Sequence, residues 1–321
     1  MSALVYLPLL VPVLAAAAAR PLAARLEPRL ATWLLTATTV ALAAFSTAAL
    51  ALLTASAIAR SPLLAALGDY SQPMLRRGDP VPALAGMAAA LLLTAAAVAV
   101  AVVIRARARA LAESYRRAAS MAPGGRVVVV PGHSIEAYAL PGSPGRIVVS
   151  GRLLDALNDR GRAALLAHEH AHLAGQHHLF TTVAHLAAAA NPLLIPVARA
   201  VDYTVERWAD ERAAAITGDR RLVASTIGQV ALLATARPAR LRAAALGITG
   251  ALGITGARGR SVSLAWAGPV PRRVAALLAP PPRRQLTLLA VVALLIMVAG
   301  ASAVEAARDL HALLEFAQTA R

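Results

Sequence analysis

The run His168-Glu169-His170-Ala171-His172 holds the residues whose types and spacing could do chemistry. Two histidines four apart on a helix share one face, one turn from each other, so each can offer a ring nitrogen to the same divalent cation. Glu169 stands beside that cation without ligating it. This combination suits metal-assisted hydrolysis, in which the metal acidifies a water and polarises a carbonyl while the carboxylate takes the water's proton. The run satisfies HExxH, with His168 and His172 as zinc ligands and Glu169 as general base.

A catalytic zinc ordinarily has three protein ligands and an open fourth position. Two third ligands are available. Glu206, in Glu206-Arg207-Trp208-Ala209-Asp210, would come from a second helix, and Asp210 one turn later could accept the free N–H of a ligating histidine. Alternatively His178 completes HExxHxxGxxH, with Gly175 as the turn. Sites of that second kind also carry a downstream Met-turn. Beyond His178 the only methionine is Met297, inside an apolar stretch, which favours Glu206. His170 projects away from the ligand face. His177 reads as a helix-end residue, with hydrogen bonding in a transition state as its sharper alternative, and Tyr203 and His185 read first as packing. Trp208 reads as core or interfacial belt.

These residues need elements to hold them. Arg160 to about His177 reads as a helix behind an Asn158 or Asp159 cap, Val201–Thr217 as another stopped by Gly218, and Leu222–Ala236 as a further one. Gly151–Leu157 reads as a short helix. Arg126–Val130 and Arg146–Ser150 are β-branched runs bounded by Gly and Pro and read as strands, with Ile135–Leu140 a weaker third. The tandem ALGITG copies at 245–250 and 251–256 are Gly-rich and read as a loop.

The rest of the chain is dominated by apolar residues. Of 321 residues, 58% are hydrophobic and 15% charged, and the mean hydropathy of +0.62 excludes a disordered chain and argues against a soluble globule. Cysteine is absent, which removes disulfides, Fe–S clusters and thiolate metal sites. Four apolar stretches approach the ~20 residues a helix needs to cross a bilayer. They lie at about 4–19, 31–59, 81–104 and 285–304. The first could instead be a signal peptide, although it has no basic n-region. All 32 basic residues are arginine, against 16 acidic residues, and they flank the apolar stretches. Arg20, Arg25 and Arg29 follow the first, Arg105 to Arg117 the third, and Arg272 to Arg284 precede the last. The positive-inside rule then puts 105–284 in the cytoplasm and both termini outside, and it accounts for the +16 charge without nucleic acid. The expected fold is a mainly α membrane protein with four transmembrane helices, an α+β cytoplasmic insert and a short external tail at 305–321.

One stretch, 179–197, is apolar yet joins His172 to Glu206. If both hold one metal, a single crossing between them is impossible, because it would part them by ~30 Å of hydrocarbon. The stretch must lie in the interface, dip in and return through a bend at Asn191-Pro192, or pack against the other spans.

LLAHEHAHLAGQHH followed by ERWADERAA resembles the membrane-embedded gluzincin peptidases related to the beta-lactam sensor-transducers of Gram-positive bacteria. It is more distantly similar to the HtpX-type and CAAX prenyl endopeptidases. The resemblance covers roughly His133–Gly218. It implies a zincin-like (minigluzincin) domain over 105–284 and a zinc endopeptidase with His168, His172 and Glu206 as ligands, Glu169 as base and Asp210 as orienter. It also implies cleavage of a protein substrate, in the sensor-transducers a transcriptional repressor. Only 305–321 follow the last span, where those proteins carry a large penicillin-binding sensor, so direct beta-lactam binding is not expected. Membrane-protein quality control of the HtpX type is the alternative purpose. A signalling scaffold with a structural metal site is the non-catalytic one, and it has no use for Glu169.

Overall fold

A computed structural model describes residues 3–59, 83–120, 125–131, 135–143, 145–235, 270–280 and 286–319, and over these the chain is mainly helical. After a 3-10 turn at Ala3–Tyr6 come helices α1 (Leu7–Arg25), α2 (Pro28–Ala59) and α3 (Ala83–Ser120). Strands β1 (Val127–Val130), β2 (Ala137–Leu140) and β3 (Arg146–Ser150) follow, then α4 (Gly151–Asp155) and α5 (Asp159–Ala174). The chain continues through α6 (His177–Ala190), α7 (Ile195–Thr217), α8 (Arg220–Thr235), α9 (Val270–Leu278) and α10 (Leu286–Thr319). The ALGITG copies and His133 lie outside the described residues.

Among the described residues, three helices are long and apolar enough to cross a membrane: Leu7–Arg25, Pro28–Ile58 and Leu84–Arg117. The fourth apolar stretch falls within α10, which packs along α1 and α2 and continues past Glu305, so the tail is helical up to Thr319. Pro8 sits in the first turn of α1, where its missing N–H leaves no bond unmade, while Pro12 and Pro21 lie inside the helix. The turn into α2 is capped by Glu27, whose carboxylate accepts from the N–H groups of Arg29 (3.0 Å) and Leu30 (2.8 Å). Gly86 lets α3 approach α2, since a Cβ there would run into the Cβ of Ala57.

The strands form a sheet in the order β1-β3-β2, with β1 parallel and β2 antiparallel to the central β3. Every residue of β3 is buried, and Ile147 and Val149 pack with Leu153, Leu165, Ala213, Val223 and Ile227 into the core behind α5. Two polar caps set the local geometry. Ser150 Oγ accepts from Leu153 N at 3.3 Å, and Asn158 Oδ1 accepts from Gly161 N at 2.8 Å to start α5. The helix expected to run to His177 breaks earlier. Gly175 ends it, and Gln176 takes the left-handed conformation at φ 48° to redirect the chain into α6. A glutamine in that region is uncommon, so the surroundings enforce the turn.

The apolar stretch between the two motif helices is a helical hairpin. α6 ends at Asn191, a 3-10 turn spans Pro192–Leu194, and α7 runs back toward Glu206, beginning at Ile195 rather than Val201. α6 packs on α2 and α3, and α7 packs on α1 and α2. Near its open end Thr204 Oγ1 lies 3.0 Å from Thr32 Oγ1 of α2; at its tip Asn191 Nδ2 donates to Ser46 Oγ at 2.9 Å. Thr32 and Ser46 are separated by ~21 Å along a helix rising 1.5 Å per residue, so the tip reaches that far down α2. Leu179, Val183, Leu193 and Ile195 stay exposed on its outer face.

Arg207 ties this hairpin to the first two helices. Its guanidinium Nη1 donates to the carbonyls of Ala23 (2.7 Å), Ala24 (3.3 Å) and Leu26 (3.4 Å), the unpaired C-terminal end of α1. Truncation to Met should remove about 2–3 kcal/mol of stability, the usual worth of buried hydrogen bonds to a charged donor. Thermal unfolding of the detergent-solubilised variant measures this, and an unchanged midpoint would show that the cap contributes nothing.

Candidate metal centre

α5 and α7 pack face to face and bring the two halves of the site together. The Nε2 atoms of His168 and His172 lie 3.1 Å apart, and each is 3.5 Å from a carboxylate oxygen of Glu206. One ligand atom from each of the three residues falls within 4.8 Å of the others, and all three side chains are buried. Asp210, one turn after Glu206, faces the opposite ring nitrogen, with Oδ1 3.0 Å from His168 Nδ1. The sequence-based trio of ligands and its orienting aspartate are thus gathered at one place. His178 is not in this group. It lines a small open cavity of about 40 Å³ with Ala139, Pro141, Glu169, His172 and Leu173, and that cavity has room for roughly one water. His185 is elsewhere, with Nε2 3.0–3.1 Å from the two carboxylate oxygens of Asp202.

The donor set fits a divalent cation. The two imidazole Nε2 atoms, 3.1 Å apart, can share one proton while the site is metal-free, and a divalent cation would take both lone pairs in its place. Glu206 points the same way: neither of its buried oxygens makes a hydrogen bond of good geometry among the described residues. Glu169 is fully buried beside them, its oxygens likewise without a well-aligned donor, and it lies against the backbone of Ala139 in β2. Two nitrogens, one carboxylate and an adjacent free carboxylate suit zinc.

Arg273 is a site residue that the sequence reading missed, having counted it only as flanking charge. It is completely buried and clamps Asp210 through Nε (2.8 Å) and Nη2 (2.6 Å), while Nη1 lies 2.9 Å from Glu206 Oε2. A signal was present: Val270, Arg273, Val274 and Leu277 form the i, i+3, i+4, i+7 stripe of α9, so Arg273 occupies a core-facing position. Arg272, outside that stripe, sits over the ring of Tyr203 at 4.7 Å. His177 is a helix-end residue as expected, the first of α6, but it turns into the site. It is buried, with Nδ1 3.0 Å from His172 Nδ1. Trp208 belongs to an aromatic cluster with His177, Phe180 and Trp33, and Arg29 lies over its ring.

Burial and charge set the protonation of these groups. Burial opposes a proton on His168, but the carboxylates of Asp210 and Glu206 outweigh it and push the ring up to about 9. Burial, with less support from carboxylates, takes His172 down to about 3 and His177 to about 3. For Glu206 and Asp210 burial raises the pKa, yet Arg273 and the imidazoles hold both below the usual carboxylate range. Glu169 faces burial with weaker compensation and rises to about 7, the range of a general base at neutral pH.

Residues 101–190 match Peptidase family M48. The match supports a zincin-type metallopeptidase. It takes in the sheet, HExxH and α6 and stops before Glu206, Asp210 and Arg273. Peptidases of family M48 are generally zinc-dependent. No curated protein and no solved structure matches the chain.

Two outcomes follow from the electrostatics. Below about pH 9 the metal-free site holds a proton on His168 that must leave before a cation binds. Apparent zinc affinity should therefore climb about tenfold per pH unit from 7 to 9, with one proton released. Calorimetry in buffers of differing ionisation heat tests this, and a flat profile contradicts it. Arg273→Met leaves Glu206 and Asp210 buried without their cation and should cost about 3–5 kcal/mol of metal-free stability. Denaturant unfolding without and with zinc gives that figure, and the loss should shrink when zinc is present.

Proposed function

We propose that this chain is a membrane-bound zinc endopeptidase that cleaves a protein substrate at the cytoplasmic face of the cell membrane. The observation that carries the reading is the convergence of His168, His172 and Glu206 with Glu169 alongside, at the open end of a hairpin packed against helices apolar enough to cross a bilayer. We assign His168, His172 and Glu206 as zinc ligands, Glu169 as general base and Asp210 as orienter of His168.

His168, His172 and Glu206 would hold a zinc ion, which would supply Lewis acidity to a water and to the scissile carbonyl. Glu169 takes the proton of that water and returns it to the leaving amine. The small cavity beside it, walled by Ala139, His172 and His178, gives the water a place within reach. Asp210 accepts from Nδ1 of His168, which directs the Nε2 lone pair at the ion, and Arg273 fixes Asp210 in turn.

Membrane attachment of the site rests on the hairpin and on Arg207. The link from Arg207 to the end of α1 puts the site on the same side as the α1–α2 turn. That turn is flanked by Arg20, Arg25 and Arg29, and the positive-inside rule assigns it to the cytoplasm. The domain layout follows: helices at about 4–19, 31–59 and 81–104, a peptidase domain over 105–284, a fourth crossing at 285–304 and an external end. For the biological task we favour regulatory proteolysis of a transcriptional repressor, on the resemblance to the sensor-transducers, over quality control. An intact Glu169 argues against a purely structural metal.

Glu169→Gln should retain zinc and lose cleavage by at least about a hundredfold, the scale of a general base's contribution. Comparison of the proteomes of wild-type and Glu169→Gln cells should reveal the substrate as an uncut protein in the variant, and a fully active variant refutes the mechanism. Glu206→Ala should lower zinc affinity far more than His178→Ala; the opposite ranking would make His178 the third ligand.

A further inference from the structure

The two imidazoles of the site have different partners behind them. His168 leans on Asp210, a carboxylate, whereas His172 has another imidazole, with His177 Nδ1 at 3.0 Å from its Nδ1 and the rings 4.8 Å apart at 87°. Taking the zinc centre above as given, we infer that His177 is the positioning residue of His172, holding it in the one tautomer that can bind metal. The reasoning is proton accounting. If His172 turns the Nε2 lone pair toward the ion, its single ring proton sits on Nδ1. A buried N–H needs an acceptor. The lone pair on His177 Nδ1 is that acceptor. The His177 proton then resides on Nε2, which has no hydrogen-bond acceptor among the described residues, so the arrangement satisfies the ligand His172 at the expense of His177.

Three features of the fold serve this contact. The left-handed turn at Gln176 folds the chain back within two residues of the end of α5, which brings the first residue of α6 against the helix it has just left. Gly175 has an ordinary φ of −84°, so its lack of a side chain is a matter of space. A Cβ there would strike His177 Nε2 and stand 2.6 Å from its Cδ2. Trp208, from the helix that carries Glu206, backs the outer side of the His177 ring at 4.6 Å between centroids. The helix break after HExxH is thus shaped to seat one imidazole.

A neutral imidazole is a weaker acceptor than a carboxylate, so the two zinc-binding histidines differ in basicity. His168, backed by the carboxylate of Asp210, is the stronger donor to the metal. His172 is the weaker and the more easily displaced.

The test measures metal binding by the full chain in detergent, by chelator competition with Zn²⁺ and by the visible spectrum of the Co²⁺-loaded protein. His177→Phe keeps a planar ring but removes the acceptor, and should weaken Zn²⁺ binding about 10–100-fold and alter the Co²⁺ bands. His177→Gln, which can accept through Oε1, should recover most of that loss. Gly175→Ala should weaken binding in the wild-type background and have a much smaller effect beside His177→Ala, because the collision with the ring has gone and only the tight approach to the Ala171 carbonyl remains. Wild-type affinity and spectrum in His177→Phe would overturn the inference, as would a Gln variant no better than Phe, or additive losses for Gly175→Ala. A wild-type chain that takes up no Zn²⁺ would instead sink the proposed metal centre along with it.

Discussion

Two carboxylates one helical turn apart on α7, Glu206 and Asp210, are buried together, and that placement constrains the rest of the site. Removing one ionised carboxylate from water is expensive, and two side by side also repel. The fold meets both terms with Arg273, which forks onto Asp210 and reaches Glu206, and with imidazoles that face the remaining oxygens. Asp210 is fully engaged by Arg273 and His168. Glu206 keeps lone pairs that no well-aligned protein donor takes. A divalent cation is the natural recipient, so the division of labour between a ligand and an orienter follows from which carboxylate Arg273 holds more closely.

Because Arg273 comes from α9 and the carboxylates from α7, the centre depends on contacts across the whole lower half of the molecule. The core behind it, Leu165 of α5 with Val223 and Ile227 of α8 and Leu277 of α9, sets the distance at which the guanidinium arrives. On the opposite side α7 is fixed by Arg207 to the end of α1 and by Thr204 to Thr32 of α2. Charges at 206, 207 and 210 point to different neighbours on successive faces of one helix. Glu206 and Asp210 look toward α5 and α9, and Arg207 looks toward the helical bundle.

Much of this was legible in the sequence. HExxH on a capped helix, a second helix carrying ExxxD, the β-branched strands and the Asn191-Pro192 bend are local patterns, and each reappears near its expected place. What the sequence concealed depends on tertiary packing. Arg273 looks like one of many flanking arginines until the stripe of α9 is drawn. His177 looks like the last residue of a long helix because nothing local announces a left-handed glutamine at 176. Its burial comes from Trp208, thirty-one positions later in the chain. The span boundaries were blurred for a similar reason: α3 and α10 continue as helices well past their apolar stretches into charged sequence, where hydropathy stops but backbone hydrogen bonding does not.

The hairpin between the two motif helices joins the candidate metal centre to the apolar bundle. In a soluble protein, α5 and α7 could be linked by any short connection that lets their faces meet. Here the connection is a pair of helices running ~21 Å along α2 and back, at the rise expected of a helix. Asn191 donates to Ser46 at the tip, and the single O–H of Ser46 is shared between the carbonyls of Leu42 and Pro8. Glu206 lies two residues beyond the contact of Thr204 with Thr32, and His172 lies five before the start of α6. The hairpin is therefore tied to α2 at two depths by short polar bonds, Thr204 with Thr32 and Asn191 with Ser46, which specify their partners in a way that apolar contacts along a helix do not. The chain on either side of it carries His172 and Glu206, so the two halves of the site are joined through a connection that is itself packed into the apolar bundle.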